Sequence, residues 1–548
     1  MKSYIKELLE NINNNTSQHK LNSIKSKLAK KYKLKKIPTN IEIIHHLTSK
    51  QKEKYKNTIK TKPVRTISGV APLAIMTSPA KCPHGKCTYC PGGPNSTFGT
   101  TPQSYTGREP ATMRAIRNNY DPYLQVFNRL EQYTLLNQTI EKIELIIMGG
   151  TFPARTIEYQ DSFITFALKA LNDFSDLFYK NNKFNLEKFK TFFELPGDKN
   201  NIKRTKSIQG KILKLKKTSN LKKEQLRNET SNIRAIAICI ETRPDYGKLA
   251  HGNQMLRLGA TRVELGIQSV YDDVLKKVKR GHTTKDSKES IKTLRNLGFK
   301  ISTHYMLGLP LTPEKKDYQG IKILFKDYKP DMLKLYPCLL AKGTELYKDK
   351  KFKPLTTKRA IHLISKIKPL IPEYTRIQRI QRDIPSKHIE AGVLVTNLRQ
   401  YIKNTNCRCI RCREIGHIKD LKDKNHHITI SHYKASDGDE FFISAENKQA
   451  LFGYCRLRFP SQQLRKEITK DSAIIREIHV YSSSIPLKQT SKDSIQHKGI
   501  GKKLLKTAER IAKSNKKNKM VVISGIGVRE YFKKLNYKKQ GPYMIKRI

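Results

Sequence analysis

The residues with the most chemistry in this chain are two knots of cysteine. "KCPHGKCTYCPGG", Lys81 to Gly93, carries Cys82, Cys87 and Cys90, and "NTNCRCIRCREIGH" carries Cys407, Cys409 and Cys412. Clustered thiols in a reducing compartment read as metal ligands rather than disulfides. The other cysteines, Cys239, Cys338 and Cys455, are scattered and read as small buried hydrophobes. The Cys82-x4-Cys87-x2-Cys90 spacing is too compact for two pairs of zinc-finger ligands, and its flank supplies no fourth thiol. Three thiolates hold three irons of a [4Fe–4S] cube and leave the fourth iron open. An open iron can chelate the amino and carboxylate groups of S-adenosylmethionine, and one-electron reduction then gives a 5′-deoxyadenosyl radical. Tyr89, just before Cys90, suits packing beside such a cofactor. The alternative is a zinc site completed by His84.

A third chemical motif lies near the other end. "QHKGIGKKLL" has the form Q-x-x-G-x-G and opens into a helix, so its backbone N–H groups face an anion and its glycines admit a pyrophosphate. Gln496, Lys498, Gly499, Ile500, Gly501 and Lys502 are the candidate coenzyme A contacts. A strand, "REIHVYSS", precedes this turn and a helix follows it, as in GNAT-type acetyltransferases.

The chain has 548 residues, enough for several cores. Lys and Arg number 108 against 47 acids, a net charge of +61. That excess points to a polyanionic partner, nucleic acid before membrane, although the Lys, Asn and Ile richness of AT-rich coding contributes to it. No apolar run reaches membrane-spanning length, and "MKSYIKELLENINNN" lacks the apolar core of a secretory signal. The expectation is a cytoplasmic protein. Residues 1–62 read as a basic helical segment without an independent core, either a solvated charged helix pair or a nucleic-acid contact. Residues 63–385 alternate buried strands ("KIELIIMGG", "IRAIAICIE", "RVELGIQS", "KISTHYMLGLP", "DMLKLYP") with helical stretches ("ATMRAIRNNY", "DDVLKKVKRG"). Strands and helices in this order predict an α/β architecture with a parallel sheet or barrel, whose ligands sit at the carboxyl ends of the strands. The run from Lys199 to Lys223, rich in Lys and Arg and free of acids, reads as an exposed insertion. Residues 386–430 form a linker around the second cysteine cluster, and residues 431–548 a separate small α/β domain, in which Leu504, Leu505, Ala508, Ile511 and Ala512 share one helix face.

Longer stretches carry a resemblance. "CPHGKCTYCPGGPNSTFGTTPQSYTGREPATMRAIRNNYDP", "IIMGGTF", "IETRPDY", "VELGIQSVYDDVLKKVKRGHT", "LKLYP" and "RIQRDIP" resemble the Elp3 family, the catalytic subunit of Elongator, from about Lys62 to the C-terminus. The compact first gap between cysteines looks like the archaeal and bacterial members. The resemblance implies a partial (β/α) barrel of radical-SAM type, joined through a zinc-binding linker to a GNAT domain. By the same resemblance, Gly149 and Gly150 would lie beside the methionine amino group, and Glu241, Arg243, Glu264 and Gln268 would line the S-adenosylmethionine pocket. Lys334, at a strand end, would belong to the site rather than snorkel from it. Cys407, Cys409 and Cys412 would hold zinc, with His417 the nearest fourth ligand and His426 and His427 competing.

The implied activity is carboxymethylation of C5 of the tRNA wobble uridine, U34. Acetyl-CoA would supply the two carbons, the radical would remove a methyl hydrogen, and thioester hydrolysis would leave the carboxylate. The anticodon stem-loop would be the partner, with a homodimer or accessory subunits left open. The alternative is a protein lysine acetyltransferase with a structural iron–sulfur domain; a non-catalytic tRNA-binding scaffold is a third reading. One departure bears on the choice. Setting "EYFKKLNY" against the usual GNAT ending puts Phe532 where a tyrosine general acid stands, so either Tyr531 takes that role or thioester cleavage needs another donor.

Overall fold

The computed structural model describes residues 1–13, 16–55, 58–59, 66, 68–198, 201–402, 405–418, 421, 423, 425–481 and 499–548. Its largest body is a sheet of seven strands: β1 (Ala71–Met76), β2 (Lys142–Met148), β3 (Arg234–Thr242), β4 (Arg262–Gln268), β5 (Lys300–Leu307), β6 (Met332–Pro337) and β7 (Arg376–Arg379). They lie side by side in chain order and every pair is parallel. A right-handed crossover from each strand to its next neighbour puts all the connecting helices on one side. The sheet therefore curls into a half-barrel with one face under helices and the other concave and open. In β2, Ile143, Leu145 and Ile147 are buried against the helices, while Lys142, Glu144, Ile146 and Met148 on the opposite face are half-buried.

The second body is a sheet of β8 (His427–Ala435), β9 (Gly438–Glu446), β10 (Leu451–Phe459), β11 (Ser472–Val480), β12 (Lys519–Val522), β13 (Lys538–Gln540) and β14 (Tyr543–Arg547), in the order β8-β9-β10-β11-β12-β14-β13. Only β11 and β12 run parallel, and they match only over Ser472–Ile475 and Lys519–Val522. β11 then continues alone to Val480, which leaves a gap between the two strands. The helix Ile500–Ser514 buries Leu504, Leu505, Ala508 and Ala512 against this sheet. The architecture is thus a radical-SAM-type half-barrel joined to a GNAT-like sheet domain.

The two bodies meet through buried charge. Arg476 on β11 donates two hydrogen bonds of 2.7 Å to the carboxylate of Asp331, the residue before β6, and one of 2.9 Å to Glu440 on β9. Arg456 on β10 lies 3.4 Å from Asp331 and donates to Glu477 at 3.0 Å. Lys300, at the start of β5, also pairs with Glu477. Asp331, Arg476, Arg456 and Glu440 are each almost fully buried. Backbone follows charge: a Cβ at Gly525 would stand 1.8 Å from the carbonyl oxygen of Ile236 on β3, so only glycine fits that approach. Asp331, Lys300 and Ile236 all lie toward the amino ends of their strands. The second body is therefore seated on the rim of the half-barrel opposite the one where ligands of such sheets bind.

Three expectations change. Residues 1–62 do build a core of their own: Tyr4, Ile5, Leu8, Leu21, Leu28, Ile43, Ile44 and Ile59 pack together from short helices. Their apolar residues are spaced at helical intervals instead of forming blocks, so the segment looked solvated. The basic run read as an exposed insertion is partly packed: its described residues form the helices Ile202–Leu215 and Leu221–Thr230, with Ile208 and Ile212 buried. Asn201 and Asn220 accept backbone N–H groups at the two helix starts. β1, β7, β8, β9, β13 and β14 are strands beyond those expected, and β8 begins at His427, inside the stretch read as linker.

Replacing Asp331 by Asn leaves Arg476 and Arg456 buried without their counter-charge. We expect a loss of about 3–5 kcal/mol, read as a lower urea midpoint. Burial alone would lift the Glu477 carboxyl, but Lys300 and Arg456 hold it down at about 2. Since an unfolded glutamate titrates near about 4.3, this contribution is full above that pH and is lost as pH falls toward 2. Glu477→Gln should flatten that acid limb of the stability profile.

Candidate functional site

The first cysteines occupy a loop over the carboxyl ends of β1 and β2. Gly149 and Gly150 follow β2 with φ of 116° and 96°, and a Cβ on Gly150 would stand 4.0 Å from the Cys82 sulfur. On Gly149 it would stand 2.4 Å from Thr77 Oγ1. The glycine turn is thus forced by its contacts and opens directly beside a thiol. The other two thiols are ringed by donors. The Ser104 N–H donates to Cys90 Sγ at 3.2 Å, and Arg280 Nη1 to Cys87 Sγ at 3.5 Å. His84 Nε2 lies 3.2 Å from Cys87 Sγ. Burial, then the Arg243 and Arg280 cations, hold His84 at about 3, so its ring is neutral. Burial pushes the Cys82 and Cys90 thiols up, and ligation is what would ionise them.

These donors fit an iron–sulfur cube better than one zinc ion. Ligands on a single ion converge, whereas sulfurs on three different irons stand apart. Among the described residues, Cys407, Cys409 and Cys412 have sulfurs within 4.8 Å of one another, while Cys82, Cys87 and Cys90 form no such group, with or without His84. Gln268 adds an orphan: its backbone is left-handed, φ 65°, and its side-chain oxygen is buried without a partner. That oxygen is free for a donor such as the methionine ammonium. Arg243, by contrast, is already used. It pairs with Asp245 and donates to the Arg280 carbonyl at 2.7 Å, which braces the cysteine loop.

Deeper on the concave face the sheet gathers charge. Lys334 on β6 donates to Glu241 on β3 at 2.9 Å and pairs with Glu264 on β4. His304 on β5 lies 3.2 Å from Glu264, and Arg262 lies 3.5 Å from Glu264 and 3.3 Å from Glu144. Strand pairing makes the cluster inevitable: Glu241 sits opposite Glu264, and His304 opposite Lys334. Burial alone would lift the Glu264 carboxyl, but Lys334 and Arg262 hold it well below the usual range. The two acids in turn raise Lys334 against the pull of burial. Glu241, Glu264 and His304 converge as metal ligands could, yet the Lys334 ammonium already stands between the carboxylates. Tyr105 links the two layers, donating to Glu241 at 3.2 Å from the segment that also touches Cys90. Sequence reasoning passed over Tyr105, Glu144, Arg262, Arg280 and His304. The signal available was strand parity: Arg262 shares a face with Glu264, and His304 one with Ser302.

The second cluster is a different object. Cys409 is buried, Cys407 half-buried and Cys412 exposed. Hydrogen bonds from Cys407 and Cys412 pull the Cys409 thiol far down. His417 does not join them; its Nε2 lies 3.7 Å from Glu414. His426 packs on Phe452 at 5.3 Å, and His427 begins β8. Three convergent thiols fit a zinc ion, and none of the three histidines completes the set.

In the second body, Gly499 caps its helix with φ 82°. A Cβ on Gly501 would stand 3.3 Å from the Tyr531 hydroxyl and 3.7 Å from Val480, so Tyr531 faces the gap beside β11. Phe532 is buried in the core. Burial raises the Tyr531 hydroxyl, which keeps it a donor. Gln496 and Lys498 lie outside the described residues; Ile500 is buried at the helix start and Lys502 follows on it.

Comparison with known proteins places these features together. Residues 1–67 match the ELP3 N-terminal domain, 76–318 the Radical SAM superfamily, 330–406 the Radical_SAM C-terminal domain and 400–537 the Acetyltransferase (GNAT) family. The chain is 44% identical over 531 residues to a tRNA uridine(34) acetyltransferase of Methanocaldococcus infernus, covering 93% of this chain and 92% of that protein. It is 37% identical to Elongator complex protein 3 of Saccharomyces cerevisiae, over 99% and 94% of the two chains. The solved structure of Methanocaldococcus infernus Elp3 lacking its N-terminus superposes with a TM-score of 0.71 at 39% identity, covering 88% of this chain and all of that one.

Lys334→Met would leave Glu264 buried with its nearest cation gone. We expect a destabilisation of about 3–5 kcal/mol, which Glu264→Gln in the same chain should partly restore in a double-mutant cycle. If the second cluster holds zinc, metal analysis of purified protein should find it in the wild type and in His417→Ala and find it lost in Cys409→Ala.

Proposed function

The chain belongs to the Elp3 family, and on that premise we propose that it carboxymethylates C5 of the tRNA wobble uridine with carbons from acetyl-CoA. It is an enzyme of the transferase class, with a radical-SAM domain and an acetyltransferase domain. Radical-SAM membership implies S-adenosylmethionine and a [4Fe–4S] cluster, and GNAT membership implies acetyl-CoA. The observation that carries the reading is the pairing of sites: a three-thiol loop over the open end of a half-barrel, and an acyl-CoA gap docked by buried charge on the opposite rim.

Each group then has a task. Cys82, Cys87 and Cys90 hold the cluster, with Arg280 and the Ser104 N–H steadying two of the thiolates. Gly149 and Gly150 leave room for the methionine end of the cofactor, and the Gln268 oxygen accepts from its ammonium. When bound, these groups supply the one-electron chemistry that makes an acetyl methyl reactive toward C5 of uracil. Glu241 and Glu264 keep Lys334 charged, so that its ammonium can meet a carbonyl oxygen where negative charge gathers. Gln496, Lys498, Gly499, Ile500, Gly501 and Lys502 cradle the pyrophosphate, and the Tyr531 hydroxyl protonates the leaving thiolate. Cys407, Cys409 and Cys412 hold a zinc ion that ties down their loop. The cationic surface, residues 1–62 included, grips the anticodon stem-loop, from which the uridine is turned out of its stack.

The test is anaerobic incubation with acetyl-CoA, S-adenosylmethionine, dithionite and tRNA, followed by nucleoside mass spectrometry. Cys87→Ala should abolish carboxymethyluridine while acetyl-CoA affinity stays unchanged, and modification that survives in this variant would overturn the reading. Affinity for tRNA should fall linearly on a log–log plot against salt.

A further inference from the structure

Beyond Val522 the strand β12 has ended, and β11 borders the gap alone. A β-bulge in β11, with Arg476 the extra residue opposite the Arg456–Leu457 step of β10, lets both Arg476 and Glu477 face the half-barrel. Alternation resumes after it. Ile478 and Val480 turn toward the helix Ile500–Ser514 and Tyr531, and His479 and Tyr481 turn the other way, toward the interface. An acyl group threaded past β11 therefore meets Tyr531 on one side and His479 on the other.

His479 is prepared for work there. Its Nε2 lies 3.3 Å from the carbonyl oxygen of Ser68. A carbonyl only accepts, so Nε2 carries the proton and Nδ1 a lone pair. Among the described residues Nδ1 has no hydrogen-bond partner. The ring packs on two others, Tyr481 at 4.4 Å and Tyr454 at 6.1 Å and 9°, which are themselves 6.0 Å apart. Burial, ahead of the neighbouring charges, holds it below the ordinary imidazole value. The charged and titratable groups around it are otherwise engaged. Glu477 accepts from Tyr454, Arg456 and Lys300, and Arg376 donates to the Tyr481 hydroxyl at 3.0 Å and pairs with Glu414. Glu414, also near, is held in its ion pair with Arg376, and His479 is the imidazole among these groups.

We propose that His479 is the general base for hydrolysis of an acyl-CoA thioester held in the gap beside β11. Water gives a proton to Nδ1 as its oxygen bonds to the thioester carbon. The C–S bond then breaks with its electron pair on sulfur, which takes a proton from Tyr531. Solvent restores that proton and removes the one on His479, leaving carboxylate and free coenzyme A. The proposal rests on the acetyl-CoA site described above but not on the radical step.

Coenzyme A release from acetyl-CoA, followed with a thiol reagent in the full-length protein with tRNA present and without S-adenosylmethionine or reductant, tests it. His479→Gln should lower release about 100-fold with acetyl-CoA affinity unchanged. The wild type should show an acid limb, lying below the ordinary imidazole range, that the variant lacks. His479→Asn replaces it if the first variant melts earlier. Release at the wild-type rate in these variants, a loss that only tracks weaker acetyl-CoA binding, or no release by the wild type would overturn the proposal. Absence of acetyl-CoA binding to the wild type would instead remove the underlying site, and absence of carboxymethyluridine under the full conditions would remove the radical reading alone.

Discussion

The bidentate pair between Arg476 and Asp331 is the joint on which the two halves of this protein turn. Both side chains are fully buried. Taking two ions out of water costs several kcal/mol each, and their attraction recovers it only with close geometry and further hydrogen bonds. Here both conditions are met: Ile301 N–H donates to Asp331 at 2.8 Å, and the Phe299 carbonyl accepts from Arg476 at 2.8 Å. Such a network contributes less to net stability than to orientation, because an apolar patch would tolerate many dockings and this set of directed bonds tolerates one. Asp331 leads straight into β6, so the strand that presents Lys334 is positioned by the domain that presents the acyl gap.

The same principle orders the concave face. Three acids, Glu144, Glu241 and Glu264, share it with Lys334 and Arg262. Each acid is tolerable there because a cation reaches it, Lys334 from β6 for Glu241 and Glu264 and Arg262 from β4 for Glu144 and Glu264. The cluster is preorganised: its side chains are held by one another before any ligand arrives, so little reorganisation remains when charge develops. Tyr105 carries this order up to the cysteine loop, and Arg243 and Arg280 brace the loop from the other side. The concave face therefore carries a bonded set of polar groups from Arg262 to the cysteine loop, built on strands whose outer faces are mainly apolar.

What the sequence determined is what depends on short spacing. Three thiols within nine residues, a Gly-Gly turn after an apolar strand, and a Gly-x-Gly opening a helix each imply their local geometry, because neighbouring residues cannot move far apart. Long apolar runs such as "KIELIIM" likewise had to become buried strands. Motif-length resemblance then supplied the family. Four-residue strands, as at β7, and apolar residues spread over short helices, as in residues 1–62, were invisible because neither makes a run. Only the tertiary structure decided which distant residues meet. It set Lys334 between Glu241 and Glu264, spent Arg243 on bracing, kept His417 away from the thiols, and turned His479 toward the interface. Those outcomes follow from strand register, from a single bulge and from the burial of charge across an interface, and each of these is a property of pairs of segments that one segment's sequence does not contain.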